Sequence, residues 1–404
     1  MDESKIKEKF EQIYKAKIEP HAKRLEPYRI EQKKKHDIFL IALICVVLLF
    51  FLGAFLTAKI SALGKFFAIY AILTFILLPV LCVCLYNLEK EFRKKTKEAL
   101  LKPLLLLFGS FLLSDKELIS LKDIKSMGLY QKAKKKKDDD NITGTYKGFP
   151  VSIVETKLTH TEAQIGIKIN GINIGGTGGK SSSSKGVTDF EGLIFKIKMN
   201  KSFNGIIVGE QKRDIKGYIK LCREESKKHP DLYPPEAMKW LDNPIVNTVL
   251  DTVSEAMSSE GPVGLFGLFG KNKVTSKLNK IDTQDLEFNS NYEIYTDNQS
   301  KAKELLTKEF TEKIKNTRSA LMAWSIDFAF DEGYIYIFVN SKSTNDMVFA
   351  AQKARNKAQN GFFEVGNLSE TLLDKTIYLK TFRELIILFS LIASFNSEEK
   401  PKTN

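Results

Sequence analysis

Four histidines, four cysteines and a few clustered carboxylates are the residues of this 404-residue chain with the richest chemistry. Spacing decides what they can do. His21, His36, His160 and His229 have no Cys, Asp or His at the intervals that build a zinc site, such as H-E-x-x-H or a pair of C-x-x-C motifs. Cys82 and Cys84 sit inside an apolar run, where packing is their ordinary role. Cys222 and His229 suggest a nucleophile and its base, but no third group is marked. A buried cysteine near a surface histidine is far commoner. Asp138, Asp139 and Asp140 could hold a cation, yet directly after Lys134 to Lys137 they read as a solvated loop. Gly179-Lys180-Ser181 imitates the end of a phosphate-binding loop. The glycine that motif needs five positions earlier is Ile174, and no helix follows to aim its amides at a phosphate. No G-x-S-x-G, kinase or glycosidase-like set occurs. The expectation is no catalytic, cofactor-binding or metal-binding residue, with a site built from distant segments left open.

One apolar cluster stands out. Gly261 to Lys271 alternates glycine with Leu265, Phe266, Leu268 and Phe269, a tip that a soluble domain seldom exposes without reason. Those four residues are the candidate contact with a bilayer or a protein partner. A self-packed or disordered loop is the ordinary alternative.

The elements behind these residues begin with two uncharged runs. Ile38–Ala58 has 21 residues, about 30 Å of helix, and Phe66–Leu88 is slightly longer. Pro79, inside the second run, is tolerated in lipid. The connection from Lys59 to Lys65 is too short for a domain, so the pair reads as a transmembrane hairpin. A cleaved signal peptide would need a short basic lead and a shorter apolar core, and here 37 residues precede the run. Eleven Lys and Arg lie before Ile38, and Lys90, Arg93, Lys94, Lys95, Lys97 and Lys102 follow the second run; the connection has only Lys59 and Lys65. That asymmetry predicts both termini in the cytoplasm. The net charge of +13 is then a juxtamembrane feature that favours anionic lipid, not nucleic acid, because the clusters flank the bilayer instead of interleaving with aromatics.

Elsewhere the pattern is mixed. Residues 1–37 form a basic amphipathic arm with Ile6, Phe10, Ile13 and Tyr14 at helical spacing, in which Pro20 and Pro27 limit any single helix. Residues 89–142 read as a juxtamembrane helical segment, with Leu104 to Leu113 a buried or interfacial helix. From Thr143 the period changes to two. Phe190 to Met199 and Phe203 to Val208 read as one β-hairpin, and Ile326 to Phe330 with Tyr334 to Val339 as another, turned by Asp331-Glu332-Gly333. Tyr292 to Tyr295 is a short strand, Lys301 to Lys315 a helix, and Asp374 to Phe395 a final helix. Insertions fall near 175–186 and 222–281. The expected fold class is α+β: a two-helix hairpin followed by a mainly antiparallel β domain with packed helices over 143–404.

The order of these features resembles a bacterial membrane-protein family of unknown function, domain of unknown function 3137, sometimes labelled galanin-like. Similar residues include Phe10, Tyr14, Ile18, Pro20, Leu25, Glu26 and Arg29 in the arm, and Ser126, Gly128 and Leu129 further on. Gly144 to Gly148, Phe190 to Phe195 and Lys201 to Gly205 also fit, and Phe288 to Phe310 is the nearest match. Lys308 stands where the family usually has Pro. The resemblance brings no activity and no catalytic residues. The expectation is an inner-membrane protein, multi-pass, with a cytoplasmic binding or scaffolding domain, lipid around its hairpin and a protein partner. The alternatives are a membrane-tethered enzyme, or a subunit of a larger complex (a homo-oligomer included) packed through Gly53 and Thr57 or Ala54 and Ala58.

Overall fold

The computed structural model describes residues 3–59, 64–163, 167–169, 172–174, 184–199, 205–212, 215–230, 278–341, 362–363 and 365–394. The chain divides into two compact units. One is Met1–Leu104 with Phe363–Phe382; the other is Leu105–Phe362 with Arg383–Asn404.

In the first unit, α1 (Glu3–Ile13), a π-helical turn (Tyr14–Ile18) and α2 (Glu19–Lys59) follow without a break. Pro20 and Pro27 therefore do not limit the helix as their presence suggested. Proline lacks an N–H and crowds the preceding turn. Just ahead of Pro20 the Glu19 N–H donates to the Tyr14 carbonyl, five residues back, and the widened turn relieves that crowding. The device recurs after α3 (Gly64–Thr96). There a π-turn (Lys97–Leu101) closes with the Lys102 N–H on the Lys97 carbonyl, and Pro103 comes next in α4 (Lys102–Leu105).

These turns also set which residues are buried. Phe10, Tyr14, Ile18 and Ala22 are spaced by four and all buried, as are Phe92, Thr96, Leu100 and Leu104. In an unbroken α-helix each four-residue step rotates the stripe by about 40°, and a wide turn takes up that drift. Ile13 is only half-buried and lies off the stripe. The arm packs on the chain's own later segment: Phe10 lies 5.7 Å from Phe382 and Tyr14 5.8 Å from Tyr378, ring to ring. The Arg29 guanidinium donates to the Leu368 carbonyl at 2.8 Å.

Along the apolar runs the less exposed positions repeat every 3.5 residues. They are Leu43, Val46, Phe50 and Gly53 on α2, and Ala71, Thr74, Leu78, Leu81, Leu85 and Leu88 on α3. This is the seam of a left-handed helix pair. Gly53 and Ala54, considered above for packing between chains, lie along this seam and are half-buried.

The second unit is built on a nine-stranded sheet, every pairing antiparallel. Its strands are β1 (Leu112–Leu113), β2 (Lys135–Tyr146), β3 (Phe149–Ala163), β6 (Ser184–Lys198), β7 (Ile206–Gln211), β8 (Asn279–Ile281), β9 (Tyr292–Thr296), β10 (Ser325–Asp331) and β11 (Tyr334–Asn340). The order across the sheet is β1-β2-β3-β6-β11-β10-β7-β9-β8, and β4 (Ile167–Ile169) pairs separately with β5 (Ile172–Ile174). The α+β class holds. Three expectations change. Phe190 to Met199 and Phe203 to Val208 do not pair with each other, because the β10–β11 hairpin stands between β6 and β7. Lys134 to Asp140 is not a loop, since β2 starts at Lys135. Its charged side chains line the sheet margin beyond the two-residue β1, where charge discourages another strand from adding. Leu104 to Leu113 is no helix either: it leaves α4 at Leu105 and becomes strand at Leu112.

Two tight turns explain themselves. Lys147-Gly148 and Glu332-Gly333 have positive φ at both positions, the geometry that matches strand twist in two-residue hairpins. One face of the sheet is covered by residues 118–133, including α5 (Leu121–Ser126), with Ile124, Met127 and Tyr130 packed on Phe190, Ile194 and Phe338. The opposite face carries Phe328 and Phe330, which meet Phe310 at 5.1 and 5.8 Å. Gly209 makes room for this, since a Cβ there would sit 2.1 Å from the Phe328 ring. Phe310 belongs to α9 (Lys308–Leu321), which α6 (Ile215–Lys228) adjoins. Short helices α7 (Leu286–Asn291) and α8 (Gln299–Leu305) precede α9, so the expected helix from Lys301 breaks at Leu306-Thr307. Lys308 is the first helical residue there, a position where proline is equally at home. The last helix, α10 (Lys375–Ser394), agrees closely with expectation.

Candidate functional site

The longest functional feature is the outer surface of the helix pair. Large apolar side chains point away from the seam along both runs. Ile38 and Phe51 are each 65% exposed, Phe55 61%, Ile69 62% and Phe75 74%. Leaving a side chain of this size in water costs on the order of 1–2 kcal/mol. Ten such residues on the first run alone would cost on the order of 10 kcal/mol, as much as a typical domain's whole stability. A core helix of a soluble protein escapes that cost by being buried. Here no residue of the most apolar stretch of the first helix is buried, and only 11% of that of the second. Both helices are long and apolar enough to cross a membrane.

Three polar groups form from segments far apart in sequence. The first involves the aspartates of β2. A β-bulge between Asp138 and Asp140 reverses the alternation of side chains. Asp138 stays beside Lys136, at 2.5 Å. Asp139 and Asp140 turn toward Glu155 of β3, with one carboxylate oxygen of each residue within 4.8 Å of the others. Asp140 and Glu155 are buried, and Glu155 accepts the Phe362 N–H at 2.8 Å. Three carboxylates present the hard oxygen donors that divalent cations prefer, but calcium takes six to eight such ligands. Acidic groups of this size are common without an ion.

The second group is an ion pair. Arg383 of α10 donates to Glu225 at 2.6 Å, and the same nitrogen lies 2.6 Å from His229 Nε2. His229 Nε2 also lies 3.2 Å from the Glu225 carboxylate, so the three side chains form one cluster. Arg383 also reaches the Ala320 carbonyl at 3.3 Å. Cys222 is buried on the same helix as Glu225, but seven residues before His229, roughly 10 Å along the axis. The partners of His229 Nε2 are instead Arg383 and Glu225. His160, the other buried histidine, faces Asp189 at 2.8 Å.

The third group fills the face of the sheet beneath Tyr130. The Tyr130 hydroxyl donates to Asp327 at 2.5 Å, and the Gln211 N–H donates to the other carboxylate oxygen at 3.0 Å. Glu210 is the direct cross-strand neighbour of Glu293. Lys280 reaches Glu293 at 3.0 Å, and the Tyr295 hydroxyl donates to it at 3.2 Å. Burial, and then the Glu293 charge, hold the Tyr295 phenol well above its usual range. It is a proton donor here and not a base.

None of the partners Glu155, Asp189 and Arg383 is signalled by local spacing, because each is brought in by sheet register or by the last helix. Glu225 and His229 are four residues apart at the C-terminal end of α6, a local spacing hidden by reading 222–281 as an insertion. The apolar candidates Leu265, Phe266, Leu268 and Phe269 lie outside the described residues, as do Gly179, Lys180 and Ser181.

A family model described as "Protein of unknown function (DUF3137)" matches residues 188–397. The matched span starts within β6 and includes the Phe288 to Phe310 stretch; the helix pair precedes it. No curated protein and no solved structure matches the chain.

Proposed function

The chain belongs to the DUF3137 family of proteins of unknown function, and from that premise we propose that it is an integral membrane protein whose helix pair tethers a binding or scaffolding domain in the cytoplasm. The observation that carries this is the outward display of large apolar side chains on two paired helices, a surface that lipid stabilises and water does not. Basic residues concentrated where α2 enters and α3 leaves the apolar runs support an orientation with both termini in the cytoplasm, at a bacterial inner membrane. A protein partner is part of this reading, and the Leu265 to Phe269 segment is the contact we would test first.

Topology is directly measurable. Gln299 is exposed at the start of α8 and far in sequence from the helix pair. In intact cells a Gln299→Cys variant should resist a membrane-impermeant maleimide and label fully once the membrane is permeabilised. Labelling of intact cells would overturn the orientation.

A further inference from the structure

The helix pair ends in a collar of charge. α2 and α3 run antiparallel, and Tyr28 stacks on Phe92 with 6.2 Å between ring centroids, which brings Lys33, Lys34 and Lys90 to within about one helical turn of a common level. Lys33 and Lys34 lie four to five residues outside Ile38, about 6–8 Å, and Lys90 lies two residues beyond Leu88, about 3 Å. The headgroup layer on each side of a bilayer is about 5–7 Å deep, so these ammonium groups fall within reach of the lipid phosphates. Other charges share this level. Lys35 pairs with Glu31 at 2.7 Å and Lys95 with Glu91 at 3.2 Å. Asp37 faces His36 at 3.5 Å, and Glu89 is exposed beside Lys90. Lys33, Lys34 and Lys90 make no ion pair among the described residues, and Lys34 and Lys90 are exposed.

A second observation points to the same ligand. Tyr86 is 54% exposed, one helical turn before Lys90 and just inside the border. Tyrosine there has its ring in the acyl boundary and its hydroxyl among headgroups. The opposite end of the pair has only Lys59 and Lys65 between the runs. We propose that Lys33, Lys34 and Lys90, with Tyr86, form a headgroup site that binds anionic phospholipid through its phosphate oxygens. The proposal rests on the membrane-spanning reading above.

The test uses the full chain, reconstituted in nanodiscs of phosphatidylcholine containing a minor fraction of phosphatidylglycerol. After extraction into nonionic detergent, retained lipid is quantified by native mass spectrometry. Phosphatidylglycerol should be enriched over its share of the bilayer. A Lys33→Gln, Lys34→Gln, Lys90→Gln variant should bind it about a hundredfold more weakly, and Tyr86→Phe should bind it less well than the parent. A charge-matched variant of the second unit, Lys220→Gln, Lys227→Gln, Lys308→Gln, should retain it fully. Equal loss in both triple variants, or no enrichment in the parent, overturns the proposal. So does displacement of the lipid by excess inorganic phosphate, which would make this a phosphate site of another kind. Failure of the spanning reading is seen separately, as release of the parent chain from membranes by alkaline carbonate.

Discussion

Single residues hold the second unit together where strands and helices from distant parts of the sequence meet. Arg383 and Glu225 are the clearest case, with side chains 13% and 4% exposed. Removing one member strands the other in a buried setting, which costs about 3–5 kcal/mol. Arg383→Met should therefore lower the midpoint of thermal unfolding sharply, whereas Arg383→Met combined with Glu225→Met should recover much of the loss. Asp285 acts differently. It caps α7, and the Phe288 N–H it accepts, followed by Thr311 and Lys315, holds its carboxyl below the usual value of 3.8. A depressed carboxyl stabilises the fold above its unfolded pKa, near 4, and that stability is lost as pH falls toward the folded value. Asn keeps the capping oxygen but cannot ionise. Asp285→Asn should be less stable than the parent near neutral pH, and the gap should close as pH falls below about 4 in denaturant titrations. A constant gap would show that the charge contributes nothing.

At the scale of elements, the π-turns are the features with most leverage. Four-residue spacing from Phe10 to Ala22 makes sense only if the helix between them is overfilled by a residue, and Pro20 marks where. Deleting exposed Ala16 should restore an ordinary α-helical turn and leave Phe10 and Tyr14 on the buried stripe, since eleven residues at about 100° each return to within about 20° of three full turns. Inserting one more alanine beside Ala16 should instead rotate everything before it by about 100° and take Phe10 and Tyr14 away from Phe382 and Tyr378. The insertion is expected to cost on the order of 3 kcal/mol, with hydrogen exchange accelerated in residues 3–18, whereas the deletion should leave exchange there close to that of the parent. Strand elements were easier to read than their neighbours. Alternation at Ile326 to Phe330 and Tyr334 to Val339 identified β10 and β11, and Glu332-Gly333 identified their turn. The same reasoning failed for β6 and β7, since alternation says which face a strand presents but not which strand lies beside it.

For the whole molecule the question is which solvent surrounds the helix pair, and substitution can answer it. Phe51 points away from the seam. In water, Phe51→Lys would be neutral or favourable. In a bilayer the same change costs about 2.5–3.5 kcal/mol of insertion near the centre of the span, so the variant should insert poorly and be degraded or extracted. Normal accumulation in membranes would argue that this face meets water.

The amino-acid sequence by itself determined the two apolar helices, because their length and the lack of charge over 21 residues are local properties that already make each long and apolar enough to cross a membrane. It also determined the class of the remainder, since period-two alternation and glycine turns are local properties. Tertiary structure alone decided that β10 and β11 part β6 from β7, that Glu155 joins Asp139 and Asp140, and that Arg383 meets Glu225. Those pairings depend on which distant surfaces bury each other most completely, an energy that no window of neighbouring residues contains.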